Sequence, residues 1–125
     1  MAVIPSIGKQ WIIDKVQDVA QSSNAKMDWC ASGTGATAEG STVTITSLTE
    51  VSESRVQGTL SQPAADTDRL VATVPYTGTK TVTQVVRTNT STKGSTENIL
   101  FYALFTGIPV QNGDSIAFTL DHQQT

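Results

Sequence analysis

The chain has 125 residues, of which 38% are hydrophobic and 15% charged, and its formal net charge is −3. This length suits one domain with a core of its own, and the negative balance excludes the basic field that draws a protein to nucleic acid. Ser and Thr fill roughly a quarter of the positions, which favours pleated strands with one wet face.

The N-terminal residues predict an extended arm followed by a helix. Pro5 disfavours helical geometry at Ile4, so residues 1–7 are predicted to be extended. Ser6 can cap a helix over residues 8–20, in which apolar residues recur at three- and four-residue spacing. No signal peptide or membrane-spanning run is recognisable, so we expect a soluble protein that is made in the cytoplasm and binds no membrane.

Residues 27–121 are predicted to form an antiparallel β-sandwich of jelly-roll or immunoglobulin-like kind. About seven short alternating segments, spaced about ten residues apart, are typical of such folds. The predicted strands are residues 27–32, 42–48, 55–61, 69–76, 81–87 and 98–105, and the two arms of a hairpin that turns at 112–113. The fold class is therefore mainly β with one N-terminal helix, in a single domain over residues 1–125.

Three features of this region give specific expectations. The run ILFYALF, residues 99–105, is apolar on both sides and predicts a central strand covered on both faces. Asn112 and Gly113 predict a tight turn, after which Ile116, Phe118 and Leu120 should face inward. The single cysteine, Cys30, is interpreted as a buried structural thiol of a protein folded in a reducing compartment.

Two stretches match binding motifs only loosely. GTGATA, residues 33–38, satisfies the glycine pattern of dinucleotide sites, but a strand pattern follows it where that site needs a helix. We interpret it as a loop whose glycines need positive φ. Asp66 and Asp68 could share a metal ion, but two carboxylates are too few, and a solvated turn is the preferred interpretation.

Catalytic chemistry is not indicated. His122 could act as a base with Asp121, but it lies in a polar terminus that offers no water-excluding pocket. The aromatic residues fall on apolar faces or in apolar runs, so core packing is preferred over sugar stacking, although a glycan-binding role stays open. We predict no enzyme activity, no catalytic residue, no cofactor, no metal and no small-molecule substrate.

The order of several motifs resembles a group of small structural proteins of tailed bacteriophages. The motifs are WIIDKVQDVA at 11–20, DWCASGTG at 28–35, ESRVQGTL at 53–60 and LFTGIPVQNGDSIAFTL at 104–120. They span nearly the whole chain, although residues near 81–87 depart from the pattern. Each motif concerns folding, and none is catalytic.

The resemblance implies a virion component. The first expectation is a capsid cement or decoration protein on the capsid surface, a homotrimer that bridges subunits of the major capsid protein. The alternatives are a tail, baseplate or fibre-associated module and a glycan-binding module for host recognition. The candidate interface residues are Ala2, Val3, Ile4, Pro5 and Trp11, since an apolar arm and helix can reach a neighbouring subunit.

Overall fold

The computed structural model describes residues 27–94 and 98–123, which form seven strands and one 3-10 turn. The strands are β1 (Trp29–Gly33), β2 (Val56–Gln57), β3 (Thr59–Ala64), β4 (Thr67–Pro75), β5 (Lys80–Thr88), β6 (Ile99–Val110) and β7 (Ser115–Gln123), and the 3-10 turn is Ile45–Ser47. The arm predicted over 1–7 and the helix predicted over 8–20 lie outside the described residues.

The strands form two antiparallel sheets, which confirms the mainly β prediction. The first sheet has the order β2-β1-β5-β6 and the second the order β3-β4-β7. One core joins the sheets: Cys30, Val82 and Val85 of the first sheet pack with Leu70 and Val74 of the second. Burying these side chains, at about 1.5–3 kcal/mol for each of the larger ones, is the main force that holds the two sheets together.

The second sheet follows its sequence pattern closely. In β4 the residues Leu70, Ala72 and Val74 are buried and their neighbours Val71 and Thr73 are exposed, so strict alternation places one face on the core. The strand pairs with β7 from Thr67↔Gln123 to Pro75↔Ser115. The inward set predicted for β7 is confirmed, because Phe118 and Leu120 are buried and Ile116 packs against the same core. Gly113 has the positive φ, 93°, that the predicted turn requires.

The strand predicted over 55–61 is in fact two strands, β2 and β3, which belong to different sheets. The chain crosses from one sheet to the other at Gly58, where a Cβ atom would lie 2.6 Å from the carbonyl oxygen of Val71. Val56 and Leu60 both pack on the shared core. Because the apolar residues point inward before and after the crossing, their alternation alone does not reveal it.

The turn predicted over 62–68 is much shorter, since β3 continues through Pro63 to Ala64 and β4 begins at Thr67. Pro63 is tolerated in a strand because β3 lies at the edge of its sheet, where the missing N–H costs no ladder bond.

The strand predicted over 42–48 is also wrong, because this segment is a loop with the single 3-10 turn. Ile45 and Leu48 are buried and pack with Ala31 and Val86 on the outer face of the first sheet. A 3-10 turn directs residues three apart to the same side, which lets Ile45 and Leu48 cover that face together.

The run ILFYALF is not a central strand. It begins β6, which lies at the edge of the first sheet, and all seven residues from Ile99 to Phe105 are only half-buried. The covered position belongs to β5, where residues 84–88 are all buried. Hydrophobicity does not distinguish a central strand from an edge strand here. The central strand β5 carries the buried polar residues Gln84 and Arg87, whose hydrogen-bonding and charged partners lie in other elements.

Candidate interaction surface

The structure separates the two residues considered for catalysis. The carboxylate of Asp121 forms a bidentate pair with Arg69, with distances of 2.7 and 2.9 Å. The hydrogen bond from Arg69 lowers the pKa of Asp121. His122 is the next residue of β7, so its side chain points to the opposite face, and it lies across the ladder from Asp68. Asp121 and His122 therefore form no acid–base pair.

Asp66 and Asp68 are also separated. Asp66 accepts hydrogen bonds from Thr67 Oγ1 and Gln123 Nε2, at 3.1 and 3.4 Å, as suits the predicted turn. Asp68 is fully buried, with its Oδ2 atom 2.6 Å from Nη1 of Arg87, so the solvated-turn interpretation is wrong for this residue. Within residues 27–94 and 98–123, no three acidic, His or Cys side chains are grouped to hold a metal ion.

The GTGATA segment is a loop after Gly33, which ends β1, and its two glycines serve close packing. Among the described glycines, positive φ is found at Gly78 and Gly113, and not at Gly33 or Gly35. A Cβ atom at Gly35 would lie 2.7 Å from Oε1 of Gln84. The Gly35 N–H instead donates to that oxygen at 2.8 Å, so the loop lies directly on β5.

Gln84 is the centre of a buried polar network that sequence reasoning missed. Its Oε1 also accepts from the Thr49 N–H at 3.0 Å, and its Nε2 donates to the Ser47 carbonyl and to the Tyr102 hydroxyl at 3.0 and 2.8 Å. The Tyr102 hydroxyl in turn donates to the Thr37 carbonyl at 2.5 Å. The network fixes the loop over residues 34–49 against β5 and β6. The sequence signal that could have indicated this network is the single Gln among the Thr and Val residues of β5.

A groove of about 240 Å³ lies where this loop meets the edge strand. Its walls are Gly40 and Val43 of the loop and Ile99, Leu100, Phe101 and Tyr102 of β6. Apart from the Tyr102 hydroxyl, which the network already engages, the polar atoms of these residues all belong to the backbone. The groove therefore offers apolar side chains together with main-chain donors and acceptors. We call it the β6 groove.

The remainder of β6 carries three features that discourage pairing with another strand. The N–H of Leu104 donates to Oε2 of Glu39 at 3.0 Å, so a side chain already occupies that position of the edge. The register of β5 and β6 shifts between Val82 and Gln84, which marks a bulge in β6 at residues 105–107. Pro109 has no N–H to offer. The register also shifts between Arg87 and Thr88, which makes Leu100 an extra residue of β6, so the stretch beside the β6 groove carries a bulge as well.

The candidate interface residues Ala2, Val3, Ile4, Pro5 and Trp11 lie outside the described residues, so the structure places none of them. No family model, curated protein or solved structure matches this chain. Within residues 27–94 and 98–123 there is no helix of the length and apolar character that crossing a bilayer demands. Among the described residues, we take the β6 groove as the candidate surface for binding.

Proposed function

We propose that the protein is a non-enzymatic virion component, a capsid cement or decoration protein that bridges subunits of the major capsid protein. The observation that carries the proposal is β6, a strand of 12 residues that lies at a sheet edge among the described residues and whose apolar residues 99–102 are only half-buried. Such an edge gives main-chain hydrogen bonds and apolar pockets to a partner strand. The motif order that resembles small phage structural proteins supports the same assignment.

The charged side chains support a holding role because they brace the fold. Arg55 pairs with Glu50, at 2.8 and 2.9 Å, and also donates to the carbonyl oxygens of Thr90 and Thr92. Lys80 pairs with Glu53 across a loop. A sandwich braced in this way can transmit load between neighbouring subunits. A contact of about 1,600 Å², repeated over a shell, would stabilise a head without chemistry.

The proposal has finer parts. The two sheets form a sandwich of jelly-roll or immunoglobulin-like kind, preceded by a helix over 8–20. The protein acts as a homotrimer on the capsid surface, with Trp11 and the apolar residues 2–5 as contacts to neighbouring subunits. It requires no cofactor.

Counting copies in purified particles tests this proposal. Quantitative mass spectrometry of particles from the phage that encodes the chain would give the ratio of this protein to the major capsid protein. A cement protein is expected in hundreds of copies per particle. A few or a few tens of copies would overturn the head assignment and favour the tail, baseplate or fibre module.

A further inference from the structure

Strand β7 differs from the other described sheet edges, because nothing in it discourages pairing over its full length. Natural edge strands are protected by short length, proline, bulges or charge. β2 has only two residues, and β3 contains Pro63 and a shift in its register. β6 has Pro109, two register shifts and the contact with Glu39. β7 contains no proline and pairs with β4 over all nine of its residues without a shift.

We infer that β7 pairs with β7 of a second copy of this chain, in antiparallel orientation about a two-fold axis. The inference concerns the free protein and does not rest on the proposed function. A two-fold contact through β7 is also separate from the three-fold contacts proposed for the capsid surface.

The backbone of β7 presents a row of donors and acceptors on the side away from β4. The N–H of Tyr76 donates to the carbonyl oxygen of Asp114 at 2.8 Å, in the pair that continues the ladder of β4 and β7. Alternate pairs of an antiparallel ladder exchange hydrogen bonds, so even-numbered residues of β7 bond to β4 and odd-numbered residues face away from it. The carbonyl oxygen of Val71, opposite Thr119, agrees with this pattern because it points toward β3, where a Cβ atom at Gly58 would lie 2.6 Å from it. The outward residues are Ser115, Ala117, Thr119, Asp121 and Gln123, and all five are exposed.

These outward backbone groups are available to a partner. Among residues 27–94 and 98–123, no side chain or loop bonds to the N–H groups of the outward residues. At β6, in contrast, Glu39 occupies the N–H of Leu104. The β7 edge therefore offers an unbroken ladder to an added strand.

The charge and symmetry of β7 select a second copy as that strand. Asp121 is the one acidic residue of β7, and its carboxylate is already held by Arg69 of the same sheet at 2.7 and 2.9 Å. Thr119 is the middle residue of the strand, so pairing centred on it brings all nine residues of both copies into register. Asp121 then lies opposite Ala117 of the copy, and no like charges face each other. An antiparallel pair of identical strands is self-complementary, as a two-fold contact requires.

The pairing would join two three-stranded sheets into one continuous sheet. Each outward residue would exchange two main-chain hydrogen bonds with its counterpart. On the outer face the two Thr119 side chains would meet at the axis, and Thr–Thr pairs across strands are favourable. On the inner face Phe118 would lie beside Leu120 of the copy, which extends the apolar core across the contact.

Charge complementation at the two-fold axis tests the inference in the full chain. Thr119→Lys and Thr119→Glu each place like charges opposite each other in a dimer of identical chains, so sedimentation should show at least tenfold weaker self-association for each. An equal mixture of the two variants should restore the dimer, because opposite charges then face each other. Thr73→Lys is the matched control, since Thr73 is exposed on the same face in β4 and should leave dimerisation unchanged.

Three results of this experiment would overturn the inference. The first is an unaltered chain that stays monomeric up to about 1 mM, where even a contact of about 4 kcal/mol is populated. The second is a dimer that both Thr119 variants leave intact. The third is a mixture that is no more dimeric than the variants alone.

Proline at the edge gives a second, independent test. The N–H of Thr119 faces away from β4, so Thr119→Pro removes no bond of the existing ladder and should weaken the dimer at least tenfold while the fold is kept. Thr119→Val is the matched control, because it keeps the N–H and should dimerise like the unaltered chain. Equal dimerisation of the two variants would contradict the inference.

Amide hydrogen exchange in the unaltered chain decides the matter if Thr119→Pro does not fold. Exchange at Ala117 and Thr119 should slow at least tenfold from dilute to concentrated protein, and exchange at Leu70 of β4 should not change. Unchanged exchange at Ala117 and Thr119 would overturn the inference. None of these tests needs a particle, so their failure is distinct from failure of the proposed function.

Discussion

Arg87 of β5 and Asp68 of β4 form an ion pair that joins the two sheets through the core, with Nη1 and Oδ2 2.6 Å apart and both side chains fully buried. Arg87 also donates from Nε to the carbonyl oxygen of Met27, where the chain approaches β1. Removing one partner of such a pair leaves an uncompensated charge in an apolar interior. The pair therefore constrains how the sheets align.

We expect Arg87→Met to lower the free energy of unfolding by about 3–5 kcal/mol, because the buried Asp68 carboxylate then loses the opposite charge that faces it. The double variant with Asp68→Leu should lose less than the sum of the two single variants. Denaturant unfolding measures each value. Arg69→Met is the control, since its pair with Asp121 is about 40% exposed and should contribute at most about 1 kcal/mol. Equal losses for Arg87→Met and Arg69→Met would contradict the assigned role.

Gln84→Met should destabilise the fold by about 2–4 kcal/mol. The substitution removes the side-chain amide that bonds to the N–H groups of Gly35 and Thr49 and to the carbonyl oxygen of Ser47. Hydrogen exchange at Gly35 and Thr49 should rise more than at β4. Gln111→Met is the matched control, because Gln111 is exposed in the turn before β7. If Gln84→Met and Gln111→Met had equal free energies of unfolding, the network would not stabilise the fold.

Gly58→Ala should destabilise by about 1–3 kcal/mol, since overpacking forces backbone shifts. The added methyl would meet the Val71 carbonyl oxygen and Leu70 Cδ1, each at 2.6 Å. Gly40→Ala is the control because nothing lies within 4 Å of its added Cβ. Thermal unfolding should separate the two variants clearly, and equal melting temperatures would argue against the crossing at Gly58.

Glu53 makes stability depend on pH. Burial raises the pKa of its carboxyl, but the hydrogen bonds from Lys80 and Thr77 outweigh burial and lower it from 4.5 to about 2. The stabilisation is thus fully present above about pH 4.5 and is lost as the pH falls toward 2. Glu53→Gln should cost about 1–2 kcal/mol at pH 7 after allowance for solvent screening, and almost nothing at pH 2. Unfolding curves in which the variant's deficit stays constant from pH 7 to pH 2 would contradict this.

The Cys30 thiol should be unreactive in the native protein. Burial raises its pKa to about 12, so thiolate is scarce at neutral pH, and the sulfur is also inaccessible. A chromogenic disulfide reagent at pH 8 should modify one thiol in denaturant and none within the same time without it. Rapid modification of the native protein would mean that β1 opens easily.

The buried face of a strand with one solvent-exposed face could be predicted from sequence, whereas the strand that is covered on both faces could not be identified. In β4 and β7 every second residue meets water, so Leu70 and Leu120 mark the core directly. In β5 the buried Gln84 and Arg87 look like solvent-facing residues, because their partners in other elements are not visible in the sequence. The apolar run of β6 predicts a central strand, but β6 lies at the sheet edge, because the apolar content of a strand does not show which elements cover it.

The candidate surface could not be predicted from the sequence. The predicted contact residues of the N-terminal segment lie outside the described residues, and the groove on β6 needs the loop over residues 34–49 beside the edge strand. That loop is held by Gln84 and Tyr102, which are far apart in sequence from its residues. No local pattern encodes such a placement.

The most direct test of the cement proposal is a density map of the particle that contains this protein, at a resolution that shows strands. We expect the two sheets on the outside of the head, over the junctions between major capsid subunits, at every equivalent position. Density for the chain confined to the tail, or its absence from the particle, would contradict the proposal.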